Sequence, residues 1–221
     1  MGPFTTKLIQ ELSEYHLLKH PYYQDWNEGK LTVENLKSYA RQYFHHVDAF
    51  PRYISATHSL CADIQTRQLL LDNLVDEEKG SKNHPELWLQ FVEGLGEERA
   101  NAQNETLNPE TNELIETFYQ LSRSSAAEGI GSLFAYEYQV PEVAANKIEG
   151  LKKFYGIEAE STLEFFEVHK EADVYHSEAT AKILDALPSA EQEKARAAAI
   201  RAAQALWRFL DGVQSARQHA A

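Results

Sequence analysis

The chain reads as all-α: one bundle of seven or eight helices forming a single domain over residues 1–221. Three observations predict this. No stretch keeps a two-residue alternation of apolar and polar side chains, and no hairpin turn joins two such stretches. Gly and Pro are few, 10 and 7 of 221 residues, so there is little to break helices. Ala, Leu, Glu, Gln and Lys, the residues that lose least on entering a helix, are abundant.

Punctuation places the elements. His20-Pro21 is expected to end a first helix, and Asn27-Glu28-Gly29-Lys30 reads as a loop. Thr32 can cap a second helix over about 33–60, kinked at Pro51. A third spans about 63–79 and stops near Gly80. Pro85 suits the first position of a short helix ending near Gly94. Asn108-Pro109-Glu110 opens a helix to about Ser125. The next covers about 127–155, bent at Pro141. Ser161 with Glu164 offers a capping box for a helix ending at Leu187. Pro188-Ser189 starts the last, running to about Arg217. Links are short, and neither repeat nor linker interrupts them.

Composition excludes several function classes. The formal charge is −13, which repels phosphate backbones, so nucleic acid is not an expected partner. No apolar run is long enough to span a membrane, and residues 1–7 lack a secretory apolar stretch. The single cysteine, Cys61, allows no internal disulfide and no multi-cysteine zinc site, which suits a reducing cytoplasm. There is no phosphate-binding glycine loop and no nucleophile elbow.

The informative residues are polar ones on apolar seams. On the seventh helix the inward line is Phe166, His169, Asp173, His176, Thr180, Ile183, Leu187. At about 100° per residue, positions i, i+4 and i+7 fall within about 60° of arc, so His169, Asp173 and His176 converge. The sixth helix gives Ile130, Leu133, Glu137, Val140, Ala144, Lys147, Leu151, with Glu137 and Lys147 as the odd members. The third gives Leu70, Leu74, Glu77 and, past Gly80, His84. The second gives Leu36, Tyr39, Tyr43, His46, Phe50. Buried without partners, such polar groups would each cost several kcal/mol.

Glu77, His84, Glu137, His169, Asp173 and His176 together supply three carboxylates and three imidazoles. That donor set suits iron, manganese or zinc, and six ligands suit two ions. Two divalent cations would nearly cancel the three negative charges. Each residue taken singly also reads as a hydrogen-bonded core group. A rotation of the seventh helix by one residue would put its trio in water, but Phe166 and Ile183 at the ends of that line oppose it. Lys147 is either snorkelling or a desolvated, reactive amine, and its spacing does not choose. Most of the 11 tyrosines read as core with hydroxyl partners, although one beside an oxidising metal could donate electrons. His16 and His20 read as a pair near a helix end, and Cys61 as a small buried hydrophobe.

The segments HPYYQDWNEGKLT, AFPRYISATHS, LLLDNLVDEEKGSKNHPELWLQFVEGLG, YEYQVPEVAANKIEGL and FFEVHKEADVYHS carry a resemblance covering about residues 17–210. They resemble the chlamydial death-domain-associating protein family. That family belongs to the haem-oxygenase-like di-metal oxidases of the thiaminase II and pyrroloquinoline-quinone synthase superfamily. The most specific parts are Glu-x6-His, Tyr-Glu-x-Gln and His-x3-Asp-x2-His. The resemblance implies a haem-oxygenase-like fold, with metal ligands at Glu77, His84, Glu137, His169, Asp173 and His176. It implies two metal ions, Fe/Fe or Mn/Fe, with O₂ and an external reductant as co-substrates. It further implies synthesis of para-aminobenzoate for folate, with Tyr23 sacrificed as the aromatic source and Lys147 giving the amino group. Tyr39 and Tyr136 match tyrosines lining that site, and each chain would turn over about once. A homodimer is expected on the same analogy. Two other readings stand beside this one: a di-iron oxidase acting on an external amino or fatty acid, and a protein-interaction module. The module would not need six ligands. Thiaminase chemistry is disfavoured because Cys61 lies between the second and third helices. A metal-free quinone synthase leaves the ligand set unexplained.

Overall fold

A computed structural model describes residues 1–219; the last two residues of the expected domain lie outside it. Its helices are α1 (Pro3–Leu12), α2 (Pro21–Asn27), α3 (Val33–Leu60), α4 (Ile64–Glu78), α5 (His84–Gly94), α6 (Arg99–Gln103), α7 (Pro109–Ser124), α8 (Ala126–Glu137), α9 (Val140–Tyr155), α10 (Glu160–Ala186) and α11 (Ser189–His219). Two single 3-10 turns, Ser13–Tyr15 and Leu17–Lys19, lead into α2. No strand occurs among the described residues, as the all-α reading requires.

Most boundaries follow local chemistry. Thr32 and Asn35 exchange side-chain and backbone hydrogen bonds as a complete box at the start of α3. Asp63, Asn83 and Asn108 cap α4, α5 and α7 through their carboxylate or amide oxygens. α3 runs unbroken through Pro51, whose ring removes only the bond to the Val47 carbonyl.

Three expectations are corrected. His20-Pro21 begins a helix instead of ending one. His20 is extended (φ −70°, ψ 136°), and its Nδ1 accepts the Tyr22 N–H, so proline falls at the favoured first position of α2. The helix expected over 127–155 is two helices. Pro141 cannot donate to the Glu137 carbonyl, and Tyr138 and Gln139 separate α8 from α9. Buried Gln139 repairs the break: its Nε2 donates to the Ala135 carbonyl, and its Oε1 accepts from the Leu17 N–H. Ser161 does not cap α10. The helix starts earlier, after Ala159, and Glu164 pairs with Lys82 across the fold instead. The short α2 and α6 were not expected, because neither is long enough to show a period.

α10 packs against α4, α5, α8 and α9, while α11 lies along α7 and α8. The α8–α11 approach is close: a Cβ at Gly131 would sit 2.3 Å from the Ala195 carbonyl oxygen. The alanines of α11 (Ala195, Ala199, Ala202, Ala203) are buried at that contact, which explains their density. The inward side chains of α4, α5, α8, α9 and α10 therefore meet inside the bundle.

Candidate di-metal site and its tyrosine–lysine neighbour

All six carboxylates and imidazoles from the apolar seams are buried, each at 1–3% exposure. The fold brings them together as two groups of three, each with donor atoms within 4.8 Å of one another. Glu77 from α4, His84 from α5 and His169 from α10 form one group. Glu137 from α8, with Asp173 and His176 from α10, forms the other. Asp173 and His176 sit about one and two turns after His169, so α10 contributes to both.

The hydrogen-bonding of these side chains is incomplete in a specific way. His169 Nδ1 lies 2.6 Å from the Phe165 carbonyl, which fixes the ring and turns Nε2 inward. His176 Nε2 lies 3.1 Å from the Asp76 carboxylate, which turns its Nδ1 inward. Asn73 Nδ2 donates to Glu137 Oε1 at 2.5 Å. Left without hydrogen-bond partners are His84 Nδ1, Glu137 Oε2, Asp173 Oδ2 and His176 Nδ1. His84 Nδ1 is 2.8 Å from Glu77 Oε2, yet the pair lacks hydrogen-bond alignment. Buried polar atoms are rarely left so. Several of them converging on shared points is the pattern expected of donors aimed at cations, and the mixed oxygen and nitrogen set fits iron or manganese.

Electrostatics agree. Burial raises the Glu137 carboxyl to about 8, with the Asp173 charge adding to it. Burial raises Asp173 to about 6. Burial lowers His176, but Asp173, Glu137 and Asp76 outweigh it and lift the imidazole to about 9. Burial likewise opposes the rise of His84, which the Glu77 charge drives. His169 is pushed well down by burial. Like charges are crowded here without enough compensating charge, a condition that bound cations relieve.

Beside this cluster lies a second one. Tyr23 OH and Tyr39 OH are 2.9 Å apart, and Lys147 Nζ donates to Tyr39 OH at 2.6 Å. The ammonium nitrogen sits 4.8 Å from the Tyr23 ring centre and 4.9 Å from that of Tyr39. Tyr43 OH donates to Tyr136 OH at 2.9 Å. Lys147 is 5% exposed, so it does not snorkel, and burial lowers its amine to about 7. A cavity of about 20 Å³ connects the two clusters, touching Tyr23, Tyr43, Tyr136, Lys147, Phe166 and His169. It has room for a water-sized molecule and not for an aromatic one.

Sequence reasoning missed Asn73, Asp76 and Trp26. Asn73 lies one turn before Glu77 on the inward face of α4, so its signal was readable. Asp76 lies beside Glu77 but off the inward line of that helix, on its exposed face; only the docking of α10 reveals its contact with His176. Trp26 packs edge-on to Tyr23 and Tyr39 and donates to the Lys147 carbonyl. Other histidines have structural surroundings: His20 meets Asp211 at 3.0 Å, and His16 meets Glu142 at 3.3 Å. The Cys61 thiol is raised by burial and points at the Thr57 carbonyl.

Comparisons with known proteins agree with this picture. Residues 37–209 match the haem-oxygenase-like family described as iron-containing redox enzymes. The 4-aminobenzoate synthase of Nitrosomonas europaea is 44% identical over 95% of this chain and 90% of its own length. That of Chlamydia pneumoniae is 39% identical over 85% of this chain and 84% of its own. A solved TenA homologue from Pseudomonas syringae shares the fold at a TM-score of 0.82, with 18% identity, over 96% of this chain and 93% of that one.

Proposed function

The chain belongs to the haem-oxygenase-like family of iron-containing redox enzymes, and from that premise we propose that it makes para-aminobenzoate from its own Tyr23. Glu77, His84 and His169 would hold one metal ion, and Glu137, Asp173 and His176 the other, as Fe/Fe or Mn/Fe. Bound there, the ions supply activation of O₂, with electrons from an external reductant.

The observation that carries this reading is the pairing of Lys147 and Tyr23 around a cavity too small for an aromatic substrate. A tyrosine side chain already holds the ring of the product and one further carbon, Cβ, at the position of the carboxylate. To become the product the ring must exchange its phenol oxygen for the Lys147 nitrogen, with the lysine Cε–N bond broken. Cβ must be cut from Cα and oxidised to the carboxylate, an oxidation for which O₂ would be the oxidant and the external reductant the source of the remaining electrons. Lys147 holds an amine beside that ring, linked to the Tyr23 hydroxyl through Tyr39. Near neutral pH a large fraction of this amine carries no proton, because burial lowers it to about 7. An uncharged amine is the form able to share its lone pair. The Tyr39 hydroxyl bridges Tyr23 and Lys147, so it can take or return a proton at either side. Tyr43 holds the Tyr136 hydroxyl at the cavity wall, facing the metal-side residues. Trp26, Phe166 and Val140 exclude water, which protects an oxidised tyrosine from side reactions.

The test is intact-protein mass spectrometry. The apo protein is loaded with Fe(II), or Fe(II) with Mn(II), and given O₂ and reductant with no other substrate. The expected result is about one para-aminobenzoate per chain, with mass changes located at Tyr23 and Lys147. O₂ consumption without product or mass change would instead favour an oxidase acting on an external molecule. An external substrate would require the cavity to open well beyond its present volume.

A further inference from the structure

The group formed by Glu77, His84 and His169 is not sealed on all sides. Glu77 is 3% exposed, yet it is among the residues lining a surface cleft of about 520 Å³. The other walls are Asp48, Pro51 and Arg52 of α3, Glu78 at the end of α4, and Asn83 and Pro85 at the start of α5. Asp48 and Glu78 are exposed at the rim. Arg52 is the basic residue of the cleft, and it is tied to Asp48 at 2.7 Å. Behind Glu77, and 2.8 Å from its Oε2, lies His84 Nδ1, 97% buried and without a hydrogen-bond partner. The cleft thus has carboxylates outside, a nearly buried carboxylate in its lining, and an unpartnered nitrogen immediately within.

We propose that this cleft is the intake site for divalent cations, with Asp48 and Glu78 as the outer carboxylates and Glu77 passing the ion to His84. The inference rests on the two-metal reading above but adds residues that reading does not use. A partly hydrated divalent ion loses water in steps, and carboxylates spaced from the rim inward replace that water without stranding the charge in an apolar wall. Arg52 opposes the ion and occupies Asp48, so it limits the rate of uptake. The cavity beside Tyr23 is lined mainly by aromatic and aliphatic side chains and offers a cation no comparable path.

Uptake of Mn(II) by the full-length apo protein tests the inference, followed by loss of the free-ion electron paramagnetic resonance signal and by final metal content. Asp48→Lys combined with Glu78→Lys should slow uptake about tenfold or more, while the chain still binds two ions. Arg52→Gln should speed it. Glu149→Lys with Glu158→Lys changes net charge equally on an exposed surface elsewhere and should leave the rate near wild type. Equal slowing by both double variants, or no slowing by the first, would overturn the intake site while leaving the two-metal reading in place. A wild-type chain that binds no Mn(II) would overturn both. Circular dichroism of each variant confirms that the fold is intact, and Arg52→Gln supplies an independent sign.

Discussion

The two buried clusters meet at one cavity, yet they are built on opposite principles. The carboxylate–imidazole cluster leaves four donor atoms unpartnered and several titratable groups displaced from their ordinary range. In the tyrosine–lysine cluster each reactive polar atom has a neighbour: Tyr23 with Tyr39, Tyr39 with Lys147, and Tyr43 with Tyr136. The first has the open donors of a candidate site for two ions. The second is already complete, with uncharged phenols and an amine that burial makes easy to discharge. A site awaiting an external substrate would be expected to show unsatisfied groups around a roomy cavity. Of these two clusters only the metal-side one holds unpartnered donors. Tyr23, Tyr39, Lys147, Tyr43 and Tyr136 are paired with one another around a water-sized space, which is why the reactants are read as parts of the chain.

The contrast can be broken most sharply by substituting one cluster at a time. Tyr23→Phe should abolish para-aminobenzoate while metal content stays at two per chain. Asp173→Ala should abolish product and also lower metal content. Plasma emission and mass spectrometry on the same samples separate the two, and loss of metal in Tyr23→Phe would merge the clusters into one functional unit.

Next in size is the effect of the ions on folding. Each site at a hundredfold excess over its Kd adds about 2.7 kcal/mol to stability. The apo protein should also lose stability as pH rises from about 4 to 8, because Glu137 and Asp173 have folded values raised above their ordinary ones and the fold prefers them protonated. Thermal melts across that range, with and without Mn(II), should show the apo decline and its removal by metal.

A smaller effect is expected at Asp76, which contacts His176 from the exposed face of α4. Asp76→Asn should weaken ion binding at the second group about 10–100-fold and leave the first unchanged. Competition with a chromophoric chelator measures it.

The smallest lies in the tyrosine–lysine cluster. Lys147 has a folded value near 7 against 10.5 in the unfolded chain, so the unfolded state binds the extra proton between those limits. Its burial penalty therefore fades as pH rises from about 7 to 10. The stability advantage of Lys147→Met over wild type should shrink across that window, and a constant difference would place Lys147 in water.

Much of the metal-side arrangement was legible because burial constrains both spacing and residue type. His169, Asp173 and His176 interrupt an apolar line at helical intervals, and no solvated surface demands that pattern. Asn73 was legible in the same way, one turn from Glu77. Asp76 was not, since a carboxylate on an exposed helix face looks identical whether or not a histidine packs against it. The division of α8 from α9 was half legible. Pro141 marks the place, but the backbone opens into two helices because Gln139 binds both the Ala135 carbonyl and the distant Leu17 N–H. Ser161 misled for a related reason: a local cap competes with tertiary partners, and Glu164 is drawn to Lys82.

By itself the sequence determined the helical class, the inward faces and the chemical types gathered on them, because helix period and the cost of burying polar atoms act locally. The fold alone decided which donors lie together, since Glu77, His84, Glu137 and α10 meet only when separate helices dock. It alone placed Lys147 over Tyr23 and left just a water-sized space between that pair and His169. Those relations depend on distances between side chains far apart in the chain, and no periodicity along one helix encodes them.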